Sequence, residues 1–295
     1  MEIDGVFSGG GIKGFALIGA YEEIEKQGFR FKRVAGTSAG SLIAALIAAD
    51  YSSEEITRMM DELDLKKFLD SRKTFIPLAV AKWLFLYWSL GLYKGNELEK
   101  WIEDKLAARG IRTFADIPPQ SLRIVASDLT NGRLVILPDD LPNYQIDPGT
   151  FSVAKAVRMS CSLPYFFEPV KLHGPGHTTS IIVDGGVLSN FPMWLFDKEN
   201  VKKTRPVIGV KLSHKINERP SMKIKNAIQM FEALFETMKD AHDARYISRS
   251  HEQNIIFIPT DGVLATEFEL SPQGKTDLLS LGRECANEFL SKWTY

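Results

Sequence analysis

Histidine and cysteine are both scarce in this chain of 295 residues, and each scarcity removes a class of explanation. Cysteine appears twice, as Cys161 and Cys285. Two distant cysteines make neither a disulfide framework nor a metal site, so the expectation is two reduced, buried thiols in a cytoplasmic protein with no bound metal and no cofactor. The histidines are His173, His177, His214, His242 and His251, and none sits in a distinctive loop motif. Excess charge is also missing: Lys and Arg number 36 against 37 Asp and Glu, so no global field points to nucleic acid. The chain enters an apolar run at Ile3 without a basic or long apolar leader, so no signal peptide is expected. There is no internal repeat and no low-complexity tract. The most apolar stretch, Phe75 to Leu92, is interrupted by Pro77, Lys82 and Gly91, and a transmembrane helix needs about twenty apolar residues without such breaks.

What the chain does have is two glycine-rich turns in its first fifty residues. Gly9-Gly10-Gly11-Ile12-Lys13-Gly14 follows the run Ile3 to Phe7, and Gly36-Thr37-Ser38-Ala39-Gly40 follows Phe31 to Ala35. Between them, Phe15 to Ile24 carries apolar residues at helical spacing. This is a βαβ unit followed by a second strand-to-helix turn, and parallel strands need such a crossover. Both turns then lie at one edge of a parallel sheet, where ligands of open α/β sheets bind. Downstream, Ser52 and Glu55 have capping-box spacing, and Asn96 with Glu99 gives a similar start for a helix ending near Gly110. Leu122 to Ala126 and Arg133 to Leu137 flank Asn131-Gly132, a hairpin signal. Phe151 to Met159 reads as a short helix, and Ser180 to Asp184 as a strand ending on an acid before Gly185-Gly186. Arg205 to Leu212 and Asn254 to Ile258 read as further strands, and Ala227 to Ile247 and Ser271 to Trp293 as helices.

The second turn fits G-x-S-x-G, which holds a serine in a tight bend with its hydroxyl exposed above the sheet. A serine hydroxyl needs a base to take its proton. The order serine, acid, histidine is formally available through His214, His242 and His251, but Ser38 comes after only about two strands, early for that arrangement. Asp184 is the better candidate, because it ends an apolar strand and is followed by two glycines. A carboxylate near its reference pKa of about 3.9 is a poor base at neutral pH, and apolar surroundings raise that value. The first turn offers N–H groups at Gly10, Gly11 and Ile12 for an anion. Gly9, Gly11 and Gly14 also match the dinucleotide fingerprint, but the next strand ends Val34-Ala35-Gly36-Thr37 without the acid that a ribose requires.

Four blocks in order resemble the patatin-like phospholipases, a family of lipid acyl hydrolases. Gly9 to Gly14 is similar to its oxyanion loop, Gly36 to Gly40 to its nucleophile motif, Ser160 to Pro169 to its Ser/Pro/Phe/Pro block, and Asp184-Gly185-Gly186 to its acid motif. The resemblance implies an α/β fold with three α/β/α layers, a mostly parallel central sheet and helices on both faces. It also implies Ser38 as nucleophile and Asp184 as base, with Gly10, Gly11 and Ile12 as the oxyanion hole and neither calcium nor histidine required. Gly9, Lys13, Gly14, Gly36, Gly40, Gly185 and Gly186 support these groups, Lys13 reading equally as a charge near a phosphate or as a solvent-facing helix residue. One domain over 1–295 is expected, its core motifs within 3–192 and a helical lid or membrane-facing insertion at 70–110. The expected substrate is a lipid or acyl ester. The aromatic stretch reads either as buried structure or as peripheral membrane contact through Trp83, Phe85, Tyr87 and Trp88. The alternative function is a non-catalytic, membrane-associated lipid-binding module on the same fold.

Overall fold

The computed structural model describes residues 1–61, 65–70, 86–174, 178–196, 204–213, 224, 230, 233–235, 237–239, 241, 243, 252–260 and 270–294. The run Ile3 to Phe7 lies in strand β1 (Glu2–Phe7), buried from Ile3 onward. Helix α1 (Gly14–Lys26) crosses over to β2 (Arg30–Thr37), which pairs parallel with β1, and α2 (Ala39–Ala48) leaves β2 directly. Helix α3 is Ser53–Asp61. Its start is the reciprocal box expected from spacing: the Ser52 N–H donates to Glu55 at 3.0 Å and the Glu55 N–H to Ser52 Oγ at 3.3 Å.

Strand β3 (Gly91–Tyr93) and α4 (Asn96–Ala107) follow. Here the expected Asn96–Glu99 cap gives way to another. The N-cap residue is Gly95 with φ +77°, and the capping carboxylate is Asp70, which accepts from the N–H groups of Gly95, Asn96 and Glu97 at 2.6, 2.8 and 3.3 Å. A carboxylate brought in by the tertiary fold satisfies three helix-terminal donors at once.

The chain continues as β4 (Leu122–Asp128), β5 (Arg133–Leu137), α5 (Val153–Ser160), β6 (Tyr165–Phe167), β7 (Val170–His173), β8 (Thr179–Asp184), β9 (Val207–Lys211), β10 (Ile255–Phe257) and α6 (Pro272–Lys292). The main sheet has the order β10-β9-β1-β2-β4-β8-β7, with β5 paired to β4, and β3 and β6 form a separate two-stranded ribbon. The five strands from β10 to β4 run parallel. Alternation along β1 splits the interior between two faces: Ile3 and Phe7 join the large core with α1 and α2, while Val6 joins Ala35, Phe191, Met193 and Phe196 on the other. This is an α/β fold with a mostly parallel central sheet, as expected. Most of Ala227 to Ile247 lies outside the described residues, as do Trp83, Phe85, His177, His214, His242 and His251.

The pairing of β4 places the candidate site. One edge of β4 is occupied by β5, from Ile124↔Leu137 to Asp128↔Arg133. The other edge is shared. Parallel β2 covers Leu122 to Val125, ending at Thr37↔Val125, and antiparallel β8 covers Ala126 to Asp128, ending at Asp184↔Ala126. Two strands therefore run toward each other along one edge and stop at neighbouring residues of β4. Ser38 follows the end of one strand, and Asp184 is the end of the other.

Candidate active site

Ser38 lies in the bend between β2 and α2 with φ +52° and ψ −126°, a backbone region that is costly for a residue with a side chain. The bend is tied on both sides. The Ser38 N–H donates to Ser160 Oγ at 2.8 Å, and Ser160 Oγ donates to the Val125 carbonyl at 2.6 Å. The Ser38 carbonyl accepts from Ser41 Oγ at 2.6 Å and from the Ser41 N–H at 2.9 Å. Gly40 is required by close approach: a Cβ there would lie 2.3 Å from the Phe7 carbonyl oxygen. The two glycine turns thus touch, since α2 begins against the end of β1.

The first turn is a short 3-10 segment, Gly11–Lys13, running into α1. Its Gly9 N–H is taken by the Asn190 carbonyl at 3.1 Å and its Lys13 N–H by the Gly10 carbonyl at 3.2 Å. Gly10, Gly11 and Ile12 line the cavity beside Ser38. Lys13 is half-buried and is not among the described lining residues.

Asp184 is 2% exposed. Its N–H donates to the Ser162 carbonyl at 2.9 Å, and its Oδ1 accepts from the Gly186 N–H at 2.7 Å. Burial pushes the carboxyl from 3.8 up to about 6, against hydrogen bonding from the Ser38 hydroxyl and the Gly186 N–H and the charge of Lys239. That value brings a carboxylate toward the range of a useful general base near neutral pH. Gly185 and Gly186 form a buried 3-10 turn after it, and Gly9, Gly14, Gly36 and Gly40 are buried in the two earlier turns.

A single open cavity brings these groups together. Its wall is mostly apolar, from Phe15, Leu42, Met60, Phe68 and Leu98 to Phe166, Phe167 and Phe235. The polar lining groups are Ser38, Asp184, Asn190 and Lys239, with the Cys161 thiol beside them. Burial pushes that thiol up to about 12, aided by the Asp184 charge, so it is a neutral wall group. The aromatic end of the cavity rests on Arg158, buried inside α5. Arg158 donates to the carbonyls of Lys94, Gly95 and Glu168 at 2.5, 2.9 and 2.8 Å and to Ser162 Oγ at 2.5 Å. Those bonds hold the β3–β6 ribbon against α5.

Sequence reasoning did not single out the roles of Ser160, Asn190 or Lys239. Ser160 lay inside a quoted block, but its bond to Ser38 spans 122 positions, and no local pattern carries that. His173, the one described histidine, is exposed on β7 with Nδ1 3.2 Å from Thr179 Oγ1 and does not line the cavity. Tyr87 and Trp88 are 73% and 77% exposed, their rings edge-to-face at 5.2 Å. Among the described residues no cluster of His, Cys, Asp and Glu could hold a metal ion, and no helix is long and apolar enough to cross a membrane.

A family match to patatin-like phospholipase covers residues 5–197. The chain is 59% identical over 295 residues to Bacillus subtilis YqhO, described as uncharacterized, with all of both chains covered. It is 32% identical over 197 residues to an Escherichia coli cUMP-AMP-activated phospholipase, covering 62% of this chain and 54% of that one. Among solved structures, VipD from Legionella pneumophila aligns with a TM-score of 0.57 at 16% identity, covering 99% of this chain and 67% of the other, which is a likeness of fold.

Proposed function

The chain belongs to the patatin-like phospholipase family, and from that footing we propose that it hydrolyses fatty-acyl esters of phospholipids or related lipids through Ser38 and Asp184. The observation that carries this reading is the meeting of β2 and β8 along one edge of β4, which brings a strained serine and a buried carboxyl to one apolar cavity. Ser38 Oγ attacks the ester carbonyl carbon as its proton passes to Asp184. The carbonyl oxygen becomes an oxyanion facing the N–H groups of Gly10, Gly11 and Ile12, where one donor is worth about 3 kcal/mol. Collapse breaks the ester bond, and the alcohol leaves with the proton from Asp184. Water then attacks the acyl-Ser38 carbonyl, gives its proton to Asp184, and releases the fatty acid with the serine restored. The apolar wall suits the acyl chain. The exposed Tyr87–Trp88 pair supports contact with a lipid surface, since aromatic residues favour the membrane interface.

Turnover of a chromogenic long-chain acyl ester tests the proposal. Ser38→Ala is expected to lower kcat by about a thousandfold or more with an unchanged circular dichroism spectrum. Retained turnover in that variant would move the chemistry elsewhere in the molecule.

A further inference from the structure

Asn190 lines the cavity and is 4% exposed. Its segment is tied on three sides. The Ser189 carbonyl accepts from Thr37 Oγ1 at 3.0 Å, at the end of β2. The Asn190 carbonyl accepts from the Gly9 N–H at 3.1 Å, in the first glycine turn. The Phe191 N–H donates to Asp243 Oδ1 at 3.2 Å, and Asp243 forms a buried ion pair with Lys211 at the end of β9. The backbone is therefore fixed, and the carboxamide it presents falls beside the reacting groups. A Cβ built on Gly9 would lie 2.4 Å from Asn190 Oδ1 and 3.0 Å from Ser38 Cβ, and one built on Gly186 would lie 3.3 Å from the same Oδ1 and 3.1 Å from Asp184 Oδ1. Among the described residues this carboxamide makes no hydrogen bond, so both of its ends are available to what the cavity holds.

The second half of the reaction gives this position a use. Once Ser38 is acylated, the attacking water has two hydrogens to place. One goes to Asp184. The lone pair that attacks the acyl carbon is aimed only if the other hydrogen is held as well. The side chains on the described wall offer few acceptors: the Lys239 ammonium only donates, and the Cys161 thiol accepts weakly. Asn190 Oδ1 is an acceptor close to both Ser38 and Asp184. We propose that Asn190 is a catalytic residue of the deacylation step, in which its Oδ1 accepts the second hydrogen of the attacking water while Asp184 takes the first. The O–H bond facing Asp184 breaks as the water oxygen bonds to the acyl carbon. On collapse the bond from that carbon to Ser38 Oγ breaks, and Ser38 recovers its proton from Asp184, so Asn190 neither gains nor loses one. The alcohol that leaves during acylation occupies the same place with carbon where the water has its second hydrogen, and it has nothing to donate to Asn190. The residue therefore acts on one half of the reaction. The inference rests on the acyl-transfer reading above and adds which group directs the water.

Pre-steady-state hydrolysis of a nitrophenyl acyl ester tests it. The burst of nitrophenol reports acylation, and the decay of acyl-Ser38, followed by intact mass, reports deacylation. In Asn190→Leu, which keeps the size and removes the acceptor, deacylation is expected to slow about a hundredfold. The burst rate is expected to change by less than about twofold, so that kcat and KM fall together and kcat/KM stays near the wild-type value. Asn190→Ala carries the same comparison if Asn190→Leu does not fold. An unchanged deacylation rate, or an equal fall in both rates, overturns the assignment of Asn190 while leaving the acyl-transfer reading in place. A wild-type protein that shows neither burst nor turnover overturns the acyl-transfer reading itself.

Discussion

At the scale of single residues, the placement that suits Asp184 to the proposed chemistry costs stability. Its carboxyl stands at about 6 in the fold against 3.8 when unperturbed, because burial penalises the charge more than Ser38, Gly186 and Lys239 favour it. The folded protein therefore holds this proton more tightly than the unfolded chain. The favourable contribution is complete below about pH 4 and is lost as pH rises through about 6. Two outcomes follow. The kcat/KM of ester hydrolysis should rise with pH to a plateau, with its midpoint near 6, since the base acts ionised. Asp184→Asn, which removes the buried charge, should raise stability at about pH 8 by on the order of 3 kcal/mol, seen as a higher melting temperature, and should lose most of that gain at about pH 4. A thermal melt at the two pH values checks the second outcome, and a fall in stability at pH 8 would mean that the Asp184 charge is well compensated. The position of this residue was legible, because an acid ending an apolar strand before two glycines is a local pattern. Its pKa was not, because burial by the tertiary fold raises it, and the groups that oppose the rise come from the bend after β2, the turn after β8 and residue 239.

At the scale of elements, caps and crossings divide what local sequence can and cannot specify. The Ser52–Glu55 box is made by residues three apart and formed where expected. The cap of α4 is supplied by Asp70 from 25 positions upstream of Gly95, so the local Asn96–Glu99 pattern misplaced it. The crossing of α1 and α6 is a similar case. A Cβ at Gly19 would lie 2.0 Å from the Leu279 carbonyl oxygen, and one at Gly282 would lie 2.0 Å from that of Ala16. Each helix presents a glycine to the backbone of the other, and Arg283 pairs with Glu22 beside the crossing at 2.9 Å. Helical periodicity announced both helices but not that they touch. Gly282→Val is expected to destabilise the fold by about 3 kcal/mol, read as a lower midpoint in urea with the slope unchanged. An unaltered midpoint would mean that the helices part without cost.

At the scale of the whole molecule, the family match ends at 197, yet Phe235 and Lys239 beyond it line the same cavity. Strand β9 pairs with β1 and carries Lys211, the partner of Asp243, while α6 packs on the helix that follows the Gly10–Ile12 turn. The four blocks that resembled a family all contribute residues to the lining of one cavity. The head-on meeting of β2 and β8 explains how residues 146 positions apart can share one cavity, and that meeting depends on strand order, which no window of sequence states. Covalent labelling tests the convergence directly. A fluorophosphonate probe, followed by peptide mass mapping, should mark Ser38 in the wild-type protein, leave Ser38→Ala unmarked, and react far more slowly with Asp184→Asn. A probe that ignores Ser38, or that marks it equally fast without the Asp184 carboxylate, would contradict the account.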